Sequence, residues 1–190
     1  MDALELLTNR ASNPKLREPA PDAETLSLAY AAAMRAPDHG LLRPFRLHVV
    51  RGDARHALGE LLAECALRQH PQASAEELEK ARNKALRAPV ILVVSASLVE
   101  HAKVPAIEQI LSAGTAAYSL LLALQARGYA GIWRTGAPAY DEGVKEAFGL
   151  GPQDALVGFL YAGTAAQAAP TLERPKAEDH VFEWTGPLSR

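Results

Sequence analysis

The chain has 190 residues, of which 48% are hydrophobic and 22% charged, with a formal net charge of −2. That length suits one domain spanning 1–190 with its own core, and the near-neutral balance removes any global drive toward nucleic acid or acidic membranes. No apolar run approaches the roughly 20 residues of a membrane span, the opening ten residues carry Asp2 and Glu5 rather than the basic start of a secretory signal, and the one cysteine, Cys65, has no partner for an internal disulfide.

Asp2 predicts the N-cap of a short helix ending near Asn9 and Arg10. Asn13-Pro14 and Glu18-Pro19-Ala20-Pro21 then read as a traverse with no element of its own. Asp22 caps an alanine-rich helix over about 23–36, stopped by Pro37, which restricts Ala36 and donates no backbone bond. Pro44 opens a strand, Phe45 to Val50. Asp53 is expected to cap an amphipathic helix to about Arg68, in which Cys65 sits as a buried structural thiol. Ser74-Ala75-Glu76-Glu77 is a capping box for a helix to about Leu86.

Pro89 to Ala96 is a run of branched aliphatics bounded by proline, the pattern of a central strand. The longest helix is expected from Pro105 or Ala106 to Arg127, closed by Gly128; its middle, Ser112 to Ala117, is small enough for another backbone to approach closely. Tyr129 to Trp133 reads as a strand, Tyr140 to Phe148 as a short helix capped by Gly149, and Asp154 to Tyr161 as a further strand. The tail over 165–190 is read as extended, ordered by packing on something else. Four or five strands alternate irregularly with helices and without a βαβ rhythm, so the fold class is α+β: a central, mostly antiparallel sheet flanked by helices.

No G-x-G-x-x-G follows a strand, and there is no P-loop, metal-type histidine spacing or G-x-S-x-G elbow. The chemistry therefore narrows toward a bound organic cofactor. Three short segments carry it: Asn9-Arg10-Ala11-Ser12, Arg35-Ala36-Pro37-Asp38-His39-Gly40 and Gly131-Ile132-Trp133-Arg134-Thr135-Gly136. Each offers an arginine beside small or hydroxyl-bearing residues at an element end, and such groups grip phosphates and flavin carbonyls. Each also has a plainer reading. Arg10 and Arg35 suit helix C-termini, Ser12 a turn, His39 a solvated loop held by Asp38, and Trp133 the core. Arg134 is harder to place so, because an arginine among apolar residues at a strand end calls for an anion nearby.

The three segments, in this order and spacing, resemble the nitroreductase family of flavoproteins, in particular its small YdjA-like branch, over most of the chain. The resemblance implies a homodimer with FMN at the subunit interface. Arg10, Ala11 and Ser12 would contact the ribityl phosphate and part of the ring. Arg35 and His39 would reach the flavin from the neighbouring subunit, where a positive group stabilises the reduced ring. Trp133, Arg134 and Thr135 would lie along the dimethylbenzene edge and phosphate side. The pattern departs at Ala11, where close relatives often carry a second arginine, so a contact there falls to the backbone.

Ala123, Leu124, Gln125, Ala126, Arg127 and Gly128 match a stretch implicated in binding the nicotinamide dinucleotide, although a C-cap with a dipole-compensating arginine is the plainer reading. The short 98–108 excursion marks the compact branch. The implied activity is transfer of a hydride from NADH or NADPH to FMN and then of electrons to a nitroaromatic, quinone or similar small-molecule acceptor, by a ping-pong cycle in the cytoplasm, with no side-chain nucleophile. Alternatives are another flavin reaction on the same fold, such as dehalogenation or flavin breakdown, or a non-catalytic FMN-binding module. An RNA-binding module lacks the basic run with interleaved aromatics that it needs.

Overall fold

The structure is a computed structural model and describes residues 2–187, so 188–190 of the expected tail lie outside the described residues. Six helices and five strands follow one another in the order α1 (Ala3–Asn9), β1 (Leu16–Arg17), α2 (Ala23–Ala33), β2 (Phe45–Arg51), α3 (Ala54–Gln69), α4 (Ala75–Arg82), β3 (Val90–Ala96), α5 (Ala106–Ala126), β4 (Ala130–Arg134), α6 (Glu142–Ala147) and β5 (Ala155–Ala165). Single 3₁₀ turns cover His39–Leu41, Asn83–Leu86, Ala137–Ala139 and Ala177–Asp179.

All strand pairings are antiparallel, as the α+β reading expects. β5 lies between β3 and β4, β2 lies outside β3, and β1 pairs with the last residues of β5. Helices cover both faces. On one face α2 and α5 bury Leu26, Ala29, Ala116, Ala117, Leu120 and Leu124 against Val90, Leu92, Val94, Leu160 and Ala162. On the other, α3 and the Asn83–Leu86 turn bury Leu58, Leu62, Cys65 and Ala85 against Ile91, Val93, Phe159 and Tyr161. β3 is buried along its whole length because its alternate side chains serve the two cores in turn.

The pairing of β3 with β5 slips between Val94 and Ser95, where Val94 faces Gly158 but Ser95 faces Leu156, leaving Val157 as an extra residue. Gly158 is required here: a Cβ would strike the Trp133 indole and lie 2.9 Å from the Arg134 carbonyl oxygen. Trp133 Nε1 donates to the Val157 carbonyl oxygen at 3.2 Å, so the bulge carbonyl is used to hold the indole. α5, at 21 residues, is long and apolar enough by length and composition to cross a bilayer, which the sequence reading did not expect. Its buried residues instead form the core beneath the sheet.

Several local expectations are corrected. Leu16 and Arg17 pair with Ala165 and Thr164, so the Pro-rich traverse does contain a two-residue strand, formed because β5 runs on to Ala165 rather than ending at Tyr161. Asp53 makes no side-chain cap, being already in a helical conformation, and α3 begins without one. α2 stops at Ala33, and Met34 to Ala36 form turns instead of a last helical turn. The helix opened by the Ser74 capping box tightens to 3₁₀ after Arg82. α6 starts at Glu142 rather than Tyr140, with Asp141 as its N-cap accepting from the Val144 N–H at 2.9 Å, and it ends at Ala147.

Candidate active site

β4 runs beside β5, and its alternation decides what each residue of Gly131–Gly136 does. Trp133 turns its indole toward α5, where it packs over Gly114 and the core on that face. Ile132 and Arg134 point the other way, toward α3. There they border an open pocket of about 470 Å³. Leu62, Ile132, Phe159 and Tyr161 make its apolar and aromatic floor, and Thr135 to Pro138 make one wall. Lys84 and Arg87 approach from the 3₁₀ turn after α4; three residues apart on such a turn, they lie on the same side.

The pocket is lined by three cations, Lys84, Arg87 and Arg134, and by no acid. Among the described residues none of the three forms an ion pair. The Arg134 guanidinium carbon stands 5.9 Å from the centre of the Tyr161 ring, within reach of a cation–π contact. Burial pushes the Tyr161 phenol above its ordinary pKa, opposed by the positive charges of Arg134 and Arg87. A flat, apolar seat ringed by unpaired cations suits an aromatic ligand that carries negative charge.

The wall is fixed at both ends. Gly136 adopts φ 83°, ψ −169°, which sends the chain out of β4 and into the Ala137–Ala139 turn. Beyond the turn, the nearly buried Asp141 carboxylate accepts from Arg68 Nε at 3.0 Å and Nη2 at 2.6 Å. The paired guanidinium holds the Asp141 carboxyl below its ordinary pKa, and the Val144 N–H adds to this against the cost of burial. Cys65 lies beside this pair, its thiol pushed up first by burial and then by the Asp141 charge. It is a buried thiol, as its helix-interior setting predicts.

The other expected site residues lie elsewhere in the same chain. The Asn13 N–H donates to the Gly131 carbonyl oxygen at 3.0 Å, docking the first segment on β4. Arg10 Nη1 donates to Ser12 Oγ at 3.4 Å, and Arg174 Nη2 donates to the Arg10 carbonyl oxygen at 2.9 Å. Ala11 lines a second pocket, of about 520 Å³, together with Asn13, Gln125 and Gly128. The structure thus brings Ala11 and part of the 123–128 stretch together. In that stretch Leu124 is buried in the core and Ala123 packs against it, while Ala126 is exposed. Arg127 reaches Glu24 at 3.4 Å.

His39 Nδ1 pairs with Glu108 Oε2 at 2.6 Å on the surface, and Arg35 is exposed. Their neighbours Ala36 and Asp38 line a third pocket with Arg43 and Arg46. Within one chain the three segments therefore border three separate pockets rather than one. Lys84, Arg87 and Tyr161 are the site residues that sequence reasoning missed. The only signal for the first two is their spacing of three before Pro89, indistinguishable in sequence from ordinary cations of a last helical turn.

An antiparallel sheet layered between helices makes an α+β fold of the nitroreductase-like kind. The structure of a nitroreductase-like protein from Bacillus cereus superposes with a TM-score of 0.83 at 19% identity, covering 98% of this chain and 97% of that one. A Desulfovibrio desulfuricans protein solved in complex with FMN gives 0.73 at 22% identity, covering 98% and 99%. The chain belongs to the nitroreductase family, whose model matches residues 7–164. It is 44% identical over 171 residues to YdjA of Escherichia coli K12, which bears the name of an NAD(P)H nitroreductase, covering 90% of this chain and 92% of that protein. A Haemophilus influenzae protein of the same naming is 43% identical over 170 residues, covering 89% and 91%.

Proposed function

We propose that this chain is an FMN-dependent oxidoreductase of the cytoplasm, a single FMN-binding domain that works as a homodimer and oxidises NADH or NADPH. The observation that carries the reading is the acid-free pocket in which Lys84, Arg87 and Arg134 surround the floor of Ile132, Phe159 and Tyr161. These donors fit FMN: three cations answer a phosphate or a negatively charged reduced ring, and the apolar floor seats a flat one. Bound FMN supplies the redox chemistry, accepting a hydride from the nicotinamide and giving electrons to a nitroaromatic or quinone.

The chain's own residues bind, orient and exclude water. Arg134 holds the anionic part of the cofactor, and the Thr135 hydroxyl adds a donor at the same strand end. Lys84 and Arg87 supply positive charge, and Leu62, Ile132 and Phe159 keep water from the seat. Arg10 and Ser12, whose segment docks on the start of β4 through Asn13 and borders the second pocket of one chain, supply further donors on this reading. Arg35 and His39, exposed on the surface of one chain, join the site from the second copy.

The test is purification and a spectrum. Native protein should be yellow and should oxidise NADH or NADPH with a quinone or nitro compound. Arg134→Ala and Arg10→Ala should each fold and hold FMN at least tenfold more weakly. Undiminished binding in both variants would overturn the proposed phosphate site.

A further inference from the structure

Tyr161 is the one pocket residue that combines deep burial with an unused polar atom. It is 5% exposed and belongs to the central strand β5, flanked by β3 and β4 through its pairings with Ile91 and Ile132. Among the described residues its hydroxyl has no hydrogen-bond partner in the protein. Three other buried side-chain atoms also lack partners, His48 Nδ1, Ser95 Oγ and Ser112 Oγ, and these are sealed from solvent. The Tyr161 hydroxyl is not among the sealed atoms. Solvent reaches it, and the pocket it lines with Arg134 and Arg87 is the space that admits solvent there.

A buried phenol normally finds a partner, because an unmade hydrogen bond in a low-dielectric setting is costly. Here solvent in the pocket can serve the hydroxyl, and a ligand that displaces that solvent has to replace the bond. The surroundings also favour donation by the phenol. Lys84, Arg87 and Arg134 are all donors, so the phenol competes with them for no acceptor within the protein, and an incoming ligand must bring acceptors. Burial keeps the phenol neutral, hence a donor, even with two guanidinium groups nearby.

We propose that Tyr161 is a further cofactor-binding residue, whose O–H donates to an acceptor atom of the flavin held in this pocket. The assignment rests on the reading that the pocket holds FMN. It adds to the three cations a neutral, rigid donor fixed in the sheet. A donor that meets growing negative charge on the ring favours the reduced state, so Tyr161 also raises the reduction potential of the bound flavin.

Tyr161→Phe tests this, because it removes one oxygen and preserves the ring that packs with Phe159 and beneath Arg134. FMN affinity is measured by titrating flavin-free protein, the midpoint potential by redox titration of loaded protein, and the melting temperature without flavin. The expected result is a dissociation constant raised about fivefold to tenfold, a more negative potential, and a melting temperature of the flavin-free protein that does not fall. Unchanged affinity and potential would overturn the assignment, the hydroxyl then serving only water. Arg134→Ala, measured in parallel, separates the two readings. If it weakens FMN while Tyr161→Phe does not, only the tyrosine assignment fails. If neither changes FMN binding, the cofactor does not occupy this pocket.

Discussion

Arg134 shows how one position can be legible from chemistry alone. An arginine closing an apolar strand needs an anion, and among the described residues no carboxylate pairs with it, while the Tyr161 ring and an open pocket lie beside it. Trp133 carries both of its readings: its indole packs toward α5 as a core tryptophan would, and the residue still belongs to the lining of the pocket beside Ile132 and Arg134. Lys84, Arg87 and Tyr161 were illegible because they join the site through tertiary packing of a turn and a strand far apart in sequence. At this scale, Gly158→Ala should be severely destabilising, by about 2–4 kcal/mol, since its Cβ would displace the Trp133 indole from its carbonyl. Urea unfolding monitored by tryptophan fluorescence checks it. Lys84→Ala should leave stability almost unchanged, because the side chain is exposed and unpaired, yet weaken FMN several-fold in a fluorescence titration.

Secondary elements were read most securely where a cap announced them. Asp2, Asp22 and Ser74 each cap as expected, through hydrogen bonds to the first turn of α1, α2 and α4. Asp53 did not, because the residue preceding α3 is itself in helical geometry and its side chain makes no capping hydrogen bond. β1 escaped notice because two residues carry no periodicity; only the length of β5 creates it. The Asp141–Arg68 pair is the element-scale device that ties α6 and the pocket wall to α3. Asp141→Asn keeps a good cap but loses the ion pair, and should cost about 2 kcal/mol near neutral pH. The native carboxyl titrates below its ordinary value, so its contribution is complete above about pH 5 and is lost as pH falls through the folded pKa. Unfolding curves of native and Asp141→Asn protein should therefore converge in strong acid and stay apart at higher pH.

For the whole molecule, the α+β class and the antiparallel sheet were legible from the strand runs and the missing βαβ rhythm. The arrangement of the three arginine segments was not, because sequence order says nothing about which pocket each will border. The separation of Arg35 and His39 from the other two segments is what the proposed second copy would account for; the separation of Arg10 from Arg134 within one chain is not. Dilution to the monomer should accordingly release flavin, seen as a rise in free FMN fluorescence that tracks the loss of dimer in sedimentation; a flavin-loaded monomer would refute the shared site. One strand sets the order in which such a molecule can loosen. β5 is hydrogen-bonded to β1, β3 and β4 at once, whereas β2 is held by β3 alone. In deuterated solvent the amides of β5 should exchange last, only when the sheet dissolves, and those of β2 earlier. Phe159 and Tyr161 ride on that last-surviving strand, so the seat of the pocket outlives its rim. On the proposed reading, a cofactor seated there would see its wall and basic turn loosen before the platform beneath it.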